Sequence, residues 1–310
     1  MGRIIRPMSV KPDTPRRRAL RAGLAGAALP LLGACSPLAQ IERRVPEDTY
    51  RLATDIAYGD HPRQRLDVYR PLAQPGPAPV FVFFYGGAWT SGTRSFYRFV
   101  GEAFASRGIV TVVPDYRLHP EVKFPAFIED SAQAVRWALA NVADHGGDPA
   151  RLSIGGHSAG AYNAAMVAFD ARFARAAGFD AARVRGFVGL AGPYDFLPLT
   201  GRVTRAVFGW PDTPPSTQPV NVVTGGAPRS LLLYAVHDNL VAPRNSENLA
   251  RRLREVGTEV ELVAYETLGH RTLVGSIARP LDWMAGTAEQ IARFVTDAPQ
   301  RAARMARAGG

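Results

Sequence analysis

The chain has 310 residues, 46% of them hydrophobic and 21% charged, with one cysteine and a formal net charge of +10. These values exclude wholesale disorder, an intramolecular disulfide framework and a cysteine-built zinc site. Six of the ten net charges fall in residues 1–21, where seven basic residues meet Asp13 alone. The basicity therefore belongs to a leader and argues against a nucleic-acid partner.

The leader comes first in chain order. Residues 22–34 read AGLAGAALPLLGA, an apolar run that follows the basic stretch. Thirteen residues are too few for a hydrocarbon core that needs roughly 20, so residues 1–34 read as a secretory signal peptide. Leu32-Gly33-Ala34-Cys35 resembles a bacterial lipobox, and Arg16-Arg17-Arg18-Ala19-Leu20 resembles a twin-arginine export signal. The resemblance implies cleavage before Cys35, lipidation of its thiol, and an exported lipoprotein held to a membrane of the cell envelope. Residues 35–50 are polar with little period and read as a tether.

Residues 51–298 read as one α/β domain. Strands are expected at Thr54–Ala57, Arg65–Tyr69, Val80–Phe84, Val110–Val113, Leu152–Ile154, Gly186–Leu190, Leu231–Ala235 and Glu259–Ala264. Several are continuous β-branched or aromatic runs, as buried parallel strands require. Helical patterns fall at Phe96–Ser106, Pro125–Asn141, Ala159–Ala168, Ser246–Glu255 and Ala285–Thr296. Asn245 and Ser246 are expected to cap the fourth of these, and Gly257 follows its end. The alternation predicts a mostly parallel sheet of about eight strands with helices on both faces, opened by an antiparallel hairpin at one edge. Residues 192–229 break the rhythm and read as a small cap insertion, with one short helix at Arg202–Phe208. Residues 299–310 are small and arginine-rich and read as a disordered tail.

Chemistry concentrates in three places. Gly156-His157-Ser158-Ala159-Gly160 stands between an expected strand and an alanine-rich helix, the context of a nucleophile elbow. Small residues permit the turn that lifts a serine hydroxyl above the sheet. Tyr85-Gly86-Gly87-Ala88-Trp89 follows the strand Val80–Phe84, and a glycine-rich loop there can aim backbone N–H groups at a developing oxyanion. A nucleophilic serine also needs a base, and the base an orienting carboxylate. Of six histidines, His270 is the best base, in a loop between the last strand and the last helix. Asp238, after the strand Leu231–Ala235, is the preferred acid, and Asp195, after the preceding strand, is its competitor.

With these motifs in the order Ser158, Asp238, His270, the chain resembles the α/β-hydrolase superfamily over about Asp55–Thr296. Pro114-Asp115-Tyr116-Arg117-Leu118 is similar to a strand-end segment of its esterases. The pattern is most similar to the group of hormone-sensitive lipase, kynurenine formamidase and prenylcysteine methylesterase. The resemblance implies a serine carboxylesterase acting on small or short-chain esters, with Ser158 as nucleophile, His270 as base and Asp238 as its orienter. The N–H groups of Gly87, Ala88 and Ala159 would form the oxyanion hole. Tyr85 stands where relatives often carry histidine; its phenol is expected to anchor the loop, and Tyr85, Trp89 and Trp210 are expected at the substrate. Arylformamidase or amidase chemistry on the same triad, or a non-catalytic binding module on this fold, are the alternatives. No metal and no cofactor are implied.

Overall fold

The computed structural model describes residues 41–308, with side chains up to residue 297. The signal segment, Cys35 and the tether before Ile41 lie outside the described residues. Eight strands form one sheet: β1 (Tyr50–Ala57), β2 (Arg65–Pro71), β3 (Ala78–Phe84), β4 (Val110–Pro114), β5 (Gly147–His157), β6 (Gly186–Leu190), β7 (Arg229–Ala235) and β8 (Val260–Tyr265). Their order across the sheet is β1-β2-β4-β3-β5-β6-β7-β8. β1–β2 and β2–β4 pair antiparallel, and every other neighbour pair is parallel. The expected edge hairpin is therefore present, and β1 begins within the stretch read as tether.

Sequence explains which strands lie inside. APVFVFF in β3, VTVVP in β4 and GFVGL in β6 are buried at every position, because helices cover both faces. β8 lies at the far edge, where no residue is fully buried and Glu261 is exposed. Among the described residues, the α-helices of six residues or more are α1 (Arg98–Ala105), α2 (Ala126–Asn141), α3 (Ala159–Phe169), α4 (Ala171–Ala176), α5 (Arg202–Phe208), α6 (Arg244–Glu255), α7 (His270–Gly275) and α8 (Thr287–Ala308), and a single turn at Pro219–Val222 lies in the insertion. α1 and α8 touch each other on one face of the sheet, and α2, α3 and α4 pack together on the other. α3 is buried along its whole length, which its run of alanines permits.

Three expectations change. α6 starts at Arg244 after Pro243, so neither Asn245 nor Ser246 is its cap; the Asn245 Oδ1 instead accepts from the Tyr194 and Asp195 N–H groups, both at 2.8 Å. Gly257 does follow α6, at φ 83°. α8 continues through Ala308, across most of the segment expected as a disordered tail; alanine and arginine are strong helix formers. α4 and α7 were not expected, and both are only six residues long.

The end of β3 and the turn after β5 approach closely. A Cβ on Gly160 would overlap the carbonyl of Phe84, and one on Gly156 would overlap the same oxygen. Gly160→Ala is therefore expected to destabilise the fold by about 1–3 kcal/mol, read as a lower urea midpoint at unchanged m-value.

Residues 41–47 fasten to α1. Glu42 accepts from the Phe99 N–H at 3.2 Å and faces Arg98 at 3.6 Å. Burial lifts its pKa from 4.5 to about 7, against the lowering by the Phe99 N–H and the Arg98 charge. The folded state thus binds this proton more tightly than the unfolded chain does. Stability from this group is full below about pH 4.5 and falls as pH rises to about 7, where Glu42 ionises in the folded state. Melting of wild type against Glu42→Gln at intervals across that window is expected to show a downward slope that the variant lacks.

Candidate active site

Strand register assembles the site. Phe84 pairs with Gly156, so the loop after β3 leaves the sheet beside the turn after β5. His157 pairs with Leu190, and Leu190 with Leu233, which carries the alignment across to β7. The C-terminal ends of β3, β5, β7 and β8 thus open on one edge, where sites in open α/β sheets gather.

Ser158 is held at φ 54° and ψ −123°, a region few non-glycine residues adopt. Such a residue costs of order 1–3 kcal/mol and persists only where its surroundings dictate it. Here Gly156 and Gly160 let the turn close against β3. Ser158 is half-buried between buried His157 and Ala159, so its hydroxyl faces outward from the elbow.

The Ser158 Oγ lies 2.9 Å from the His270 Nε2, and the His270 Nδ1 lies 2.7 Å from the Asp238 Oδ2. The other oxygen of Asp238 accepts from the N–H groups of Leu240 at 2.8 Å and Val241 at 2.9 Å. Burial raises the pKa of Asp238, but the His270 bond, the Val241 N–H, the His270 charge and the Leu240 N–H outweigh it. The net shift is downward. An ionised carboxylate only accepts, so Nδ1 of His270 carries the proton and Nε2 is left to accept from Ser158. His270 opens α7 and follows Gly269 as its cap, rather than sitting in a loop.

Asp195, the competing acid, is elsewhere. Its Oδ2 accepts from Asn248 of α6 at 2.6 Å. His237 is exposed, and His61 pairs with Glu121 at 2.7 Å.

The glycine loop sits against the elbow. A Cβ on Gly86 would stand 3.0 Å from the Ser158 Cβ, and Gly87, Ala88 and Trp89 all have positive φ, at 136°, 52° and 59°. The Gly87 carbonyl turns back to accept from Thr90 and Ser91. Ala159 opens α3, where first-turn N–H groups lack intrahelical acceptors.

The three residues expected at the substrate are placed differently. Tyr85 is fully buried; its hydroxyl donates to the Asp115 Oδ1 at 2.7 Å and accepts from Arg63 at 2.8 Å. Tyr116 stacks on it at 4.9 Å and donates to its carbonyl at 2.8 Å. Tyr85 therefore anchors the loop from below and offers substrate no surface. Trp89 is 3% exposed; its indole N–H donates to Asn163 at 2.9 Å, and Phe196 and Phe208 of the insertion pack on its ring. Trp210 is 57% exposed under Arg205, 4.7 Å from ring to guanidinium.

Sequence reasoning missed Asp115, whose second oxygen takes Arg94 at 2.5 Å while the Arg94 N–H donates to its first at 2.7 Å. The signal was the Pro114-Asp115-Tyr116-Arg117 segment at the end of β4. Arg117 in turn makes a fork with fully buried Asp130 of α2, at 2.8 and 2.9 Å. Among the described residues, no group of three or more His, Cys, Asp or Glu gathers as metal ligands.

The BD-FAE family model matches residues 66–253, more than half of the chain. The chain belongs to the BD-FAE family. It is similar to a probable isoprenylcysteine alpha-carbonyl methylesterase of Oryza sativa subsp. japonica, 28% identical over 72% of this chain and 58% of that protein. It is also similar to esterase LipC of Mycobacterium tuberculosis, 31% identical over 69% of this chain and 58% of that protein. The chain thus spans a little over half the length of these curated relatives. Among solved structures, esterase B of Lactobacillus rhamnosis, inhibited by a tributyrin phosphonate, superposes with a TM-score of 0.76 at 20% identity. That match covers 90% of this chain and 96% of esterase B. An esterase of Pyrobaculum calidifontis gives 0.68 at 24% identity, over 84% and 88%. The BD-FAE chain therefore has the α/β-hydrolase fold.

The site geometry makes a graded prediction. Asp238→Asn is expected to slow fluorophosphonate labelling of Ser158 by about a thousandfold or more, because it destroys the tautomer that leaves Nε2 bare. Asp195→Asn is expected to stay within about twofold, since its oxygen bonds Asn248 rather than His270.

Proposed function

We propose that this BD-FAE protein is a serine carboxylesterase, with Ser158 as nucleophile, His270 as general base and acid, and Asp238 as orienter of His270. The observation that carries the reading is the bonded chain from Asp238 through His270 to a serine held at positive φ. Family membership and the named esterase relatives support the same class of reaction.

The steps follow from the atoms present. Ser158 Oγ adds to the ester carbonyl carbon while its proton passes to the His270 Nε2. The carbonyl oxygen becomes an oxyanion, received by the N–H groups of Gly87, Ala88 and Ala159. Each such donor is worth about 10²–10³ in rate. Collapse breaks the ester C–O bond, and the proton on Nε2 goes to the departing alcohol. Water then adds to the acyl-enzyme, giving its proton to Nε2, and the second collapse returns that proton to Ser158 and releases the acid.

Short acyl chains are the favoured substrates. Trp89, Phe127, Tyr162, Phe196 and Phe208 form one aromatic cluster beside the loop, with Trp89–Phe208 at 4.8 Å and Tyr162–Phe208 at 5.3 Å. The insertion is also stitched down: the Tyr162 hydroxyl donates to the Thr217 carbonyl at 2.6 Å and the Phe124 N–H to the Val207 carbonyl at 3.0 Å. Space already filled by packed rings admits few methylenes before overpacking costs about 1–3 kcal/mol. The tributyrin phosphonate captured by esterase B is in keeping with a short-chain site.

The leader pattern supports export and lipidation at Cys35, which would hold the enzyme to a membrane of the cell envelope. Mass spectrometry of the membrane fraction reads this directly as a diacylated N-terminal Cys35 peptide.

The activity test is kcat/KM for p-nitrophenyl esters of two to sixteen carbons, with a formamide beside them. The expected maximum is at two to four carbons, with palmitate poorly cleaved and no turnover in Ser158→Ala. A maximum at twelve carbons or more overturns the short-chain reading, a preference for the formamide overturns the ester assignment, and undiminished turnover in Ser158→Ala overturns the mechanism.

A further inference from the structure

His157 immediately precedes the proposed nucleophile, and none of the steps above uses it. Its ring is buried, 5% exposed, and lies 4.7 Å from the ring of His270 at an angle of 48°. Its Nε2 stands 2.9 Å from the backbone carbonyl oxygen of His270. A carbonyl only accepts, so Nε2 carries the proton and donates it. Nδ1 is then the bare nitrogen; it is buried without a hydrogen-bond partner, 3.0 Å from where a Cβ on Gly86 would stand.

A buried imidazole with one unsatisfied nitrogen is a poor way to fill space. Burying a polar atom without a partner is a cost that a leucine in the same volume would avoid. The bond from Nε2 is what the imidazole contributes and an apolar side chain would not. Burial, then the nearby His270 charge, lowers the pKa of His157 to about 3, so the donor is neutral and places no second charge beside His270.

We propose that His157 is a positioning residue, whose Nε2–H bond to the His270 carbonyl fixes the backbone from which the imidazole of His270 reaches Ser158. The inference rests on the Ser158–His270–Asp238 reading. Asp238 holds the imidazole end of His270, at 2.7 Å, and His157 holds its main-chain end, at 2.9 Å. Because His157 and Ser158 are consecutive, the grip on the base and the nucleophile ride on the same turn. A shift of the elbow therefore carries the base with it, and the 2.9 Å Ser158–His270 separation is preserved. Separations of this kind matter because misplacement by about 1 Å costs on the order of 10²-fold in rate.

The experiment compares His157→Gln, His157→Asn and His157→Leu in the full chain, measuring kcat and KM for p-nitrophenyl acetate and the thermal midpoint of each. Glutamine extends its N–H donor about as far as Nε2 of an imidazole, whereas asparagine stops at the position of Nδ1. The expected result is a kcat lower by about 10- to 100-fold in the Asn and Leu variants, with KM within about threefold. The Gln variant is expected to recover to within about fivefold of wild type. A residue that only filled space would not separate Gln from Asn. The Asn and Gln variants keep a polar side chain in the buried site and carry the test even if Leu prevents folding. Wild-type kcat in a folded Asn variant, or a Gln variant as impaired as Asn, overturns the proposal. Ser158→Ala, run alongside, separates the two levels. If it abolishes turnover while the Asn variant is unaffected, only the role of His157 falls; if it retains turnover, the triad reading falls and the role with it.

Discussion

The structure depends on one close approach, between the end of β3 and the turn after β5. Neither Gly156 nor Gly160 has room for a side chain, because the carbonyl of Phe84 occupies the space. That contact does two things at once. It forces the chain to leave β5 through a turn so tight that Ser158 sits at φ 54°, and it brings Gly86 within van der Waals reach of the serine. A polypeptide that satisfied the sheet register alone would leave the loop and the elbow as neighbours; the missing Cβ atoms make them touch.

A second layer stabilises what that contact creates. The glycine loop has three consecutive residues at positive φ and little intrinsic stiffness. Its rigidity is supplied from beneath by Tyr85, and Tyr85 is held in turn by Asp115, Arg63 and the stacked ring of Tyr116. Asp115 is 4% exposed, and its charge is matched by Arg94, which also reaches Asp55 and Asp67. Charges in such a place are costly unless paired and hydrogen-bonded, and here each oxygen of Asp115 has a donor. The polar groups thus tie the loop to β4 and to the edge hairpin. From above, the aromatic rings of Phe196 and Phe208 close over Trp89 and tie the insertion to the same loop.

How much of this was legible depended on range. The central strands were readable because a buried parallel strand is a local run of apolar residues, and β1 and β2 because a short turn-rich segment joins them. β5 extends beyond Leu152–Ile154 at both ends, since Gly147 pairs with Ala78 and His157 with Leu190, and pairing partners leave no mark on the paired residues. The short helices α4 and α7 carry too few turns for a 3.6-residue period to emerge. Ser158, Asp238 and His270 were legible because each is marked by its place relative to a strand end. The role of Tyr85 was half legible: a phenol as anchor could be read from its position, but its full burial could not. That follows from a hydrogen bond to Asp115, thirty positions away. Trp89 is the same case at greater distance, since Asn163 lies 74 positions on. Tyr85 and Trp89 were misplaced because their partners come from distant parts of the chain.

The bonded chain at the sheet edge is drawn from segments made at very different times. The glycine loop, the elbow and Asp238 all precede His270, which opens α7 after the last strand. The elbow and α3 are therefore complete in sequence well before the imidazole that bonds Ser158 has been added. Some 110 residues lie between Ser158 and His270. The Ser158–His270 bond thus closes a loop of chain that includes β6, β7 and the final edge strand, so the serine is paired only in a complete sheet.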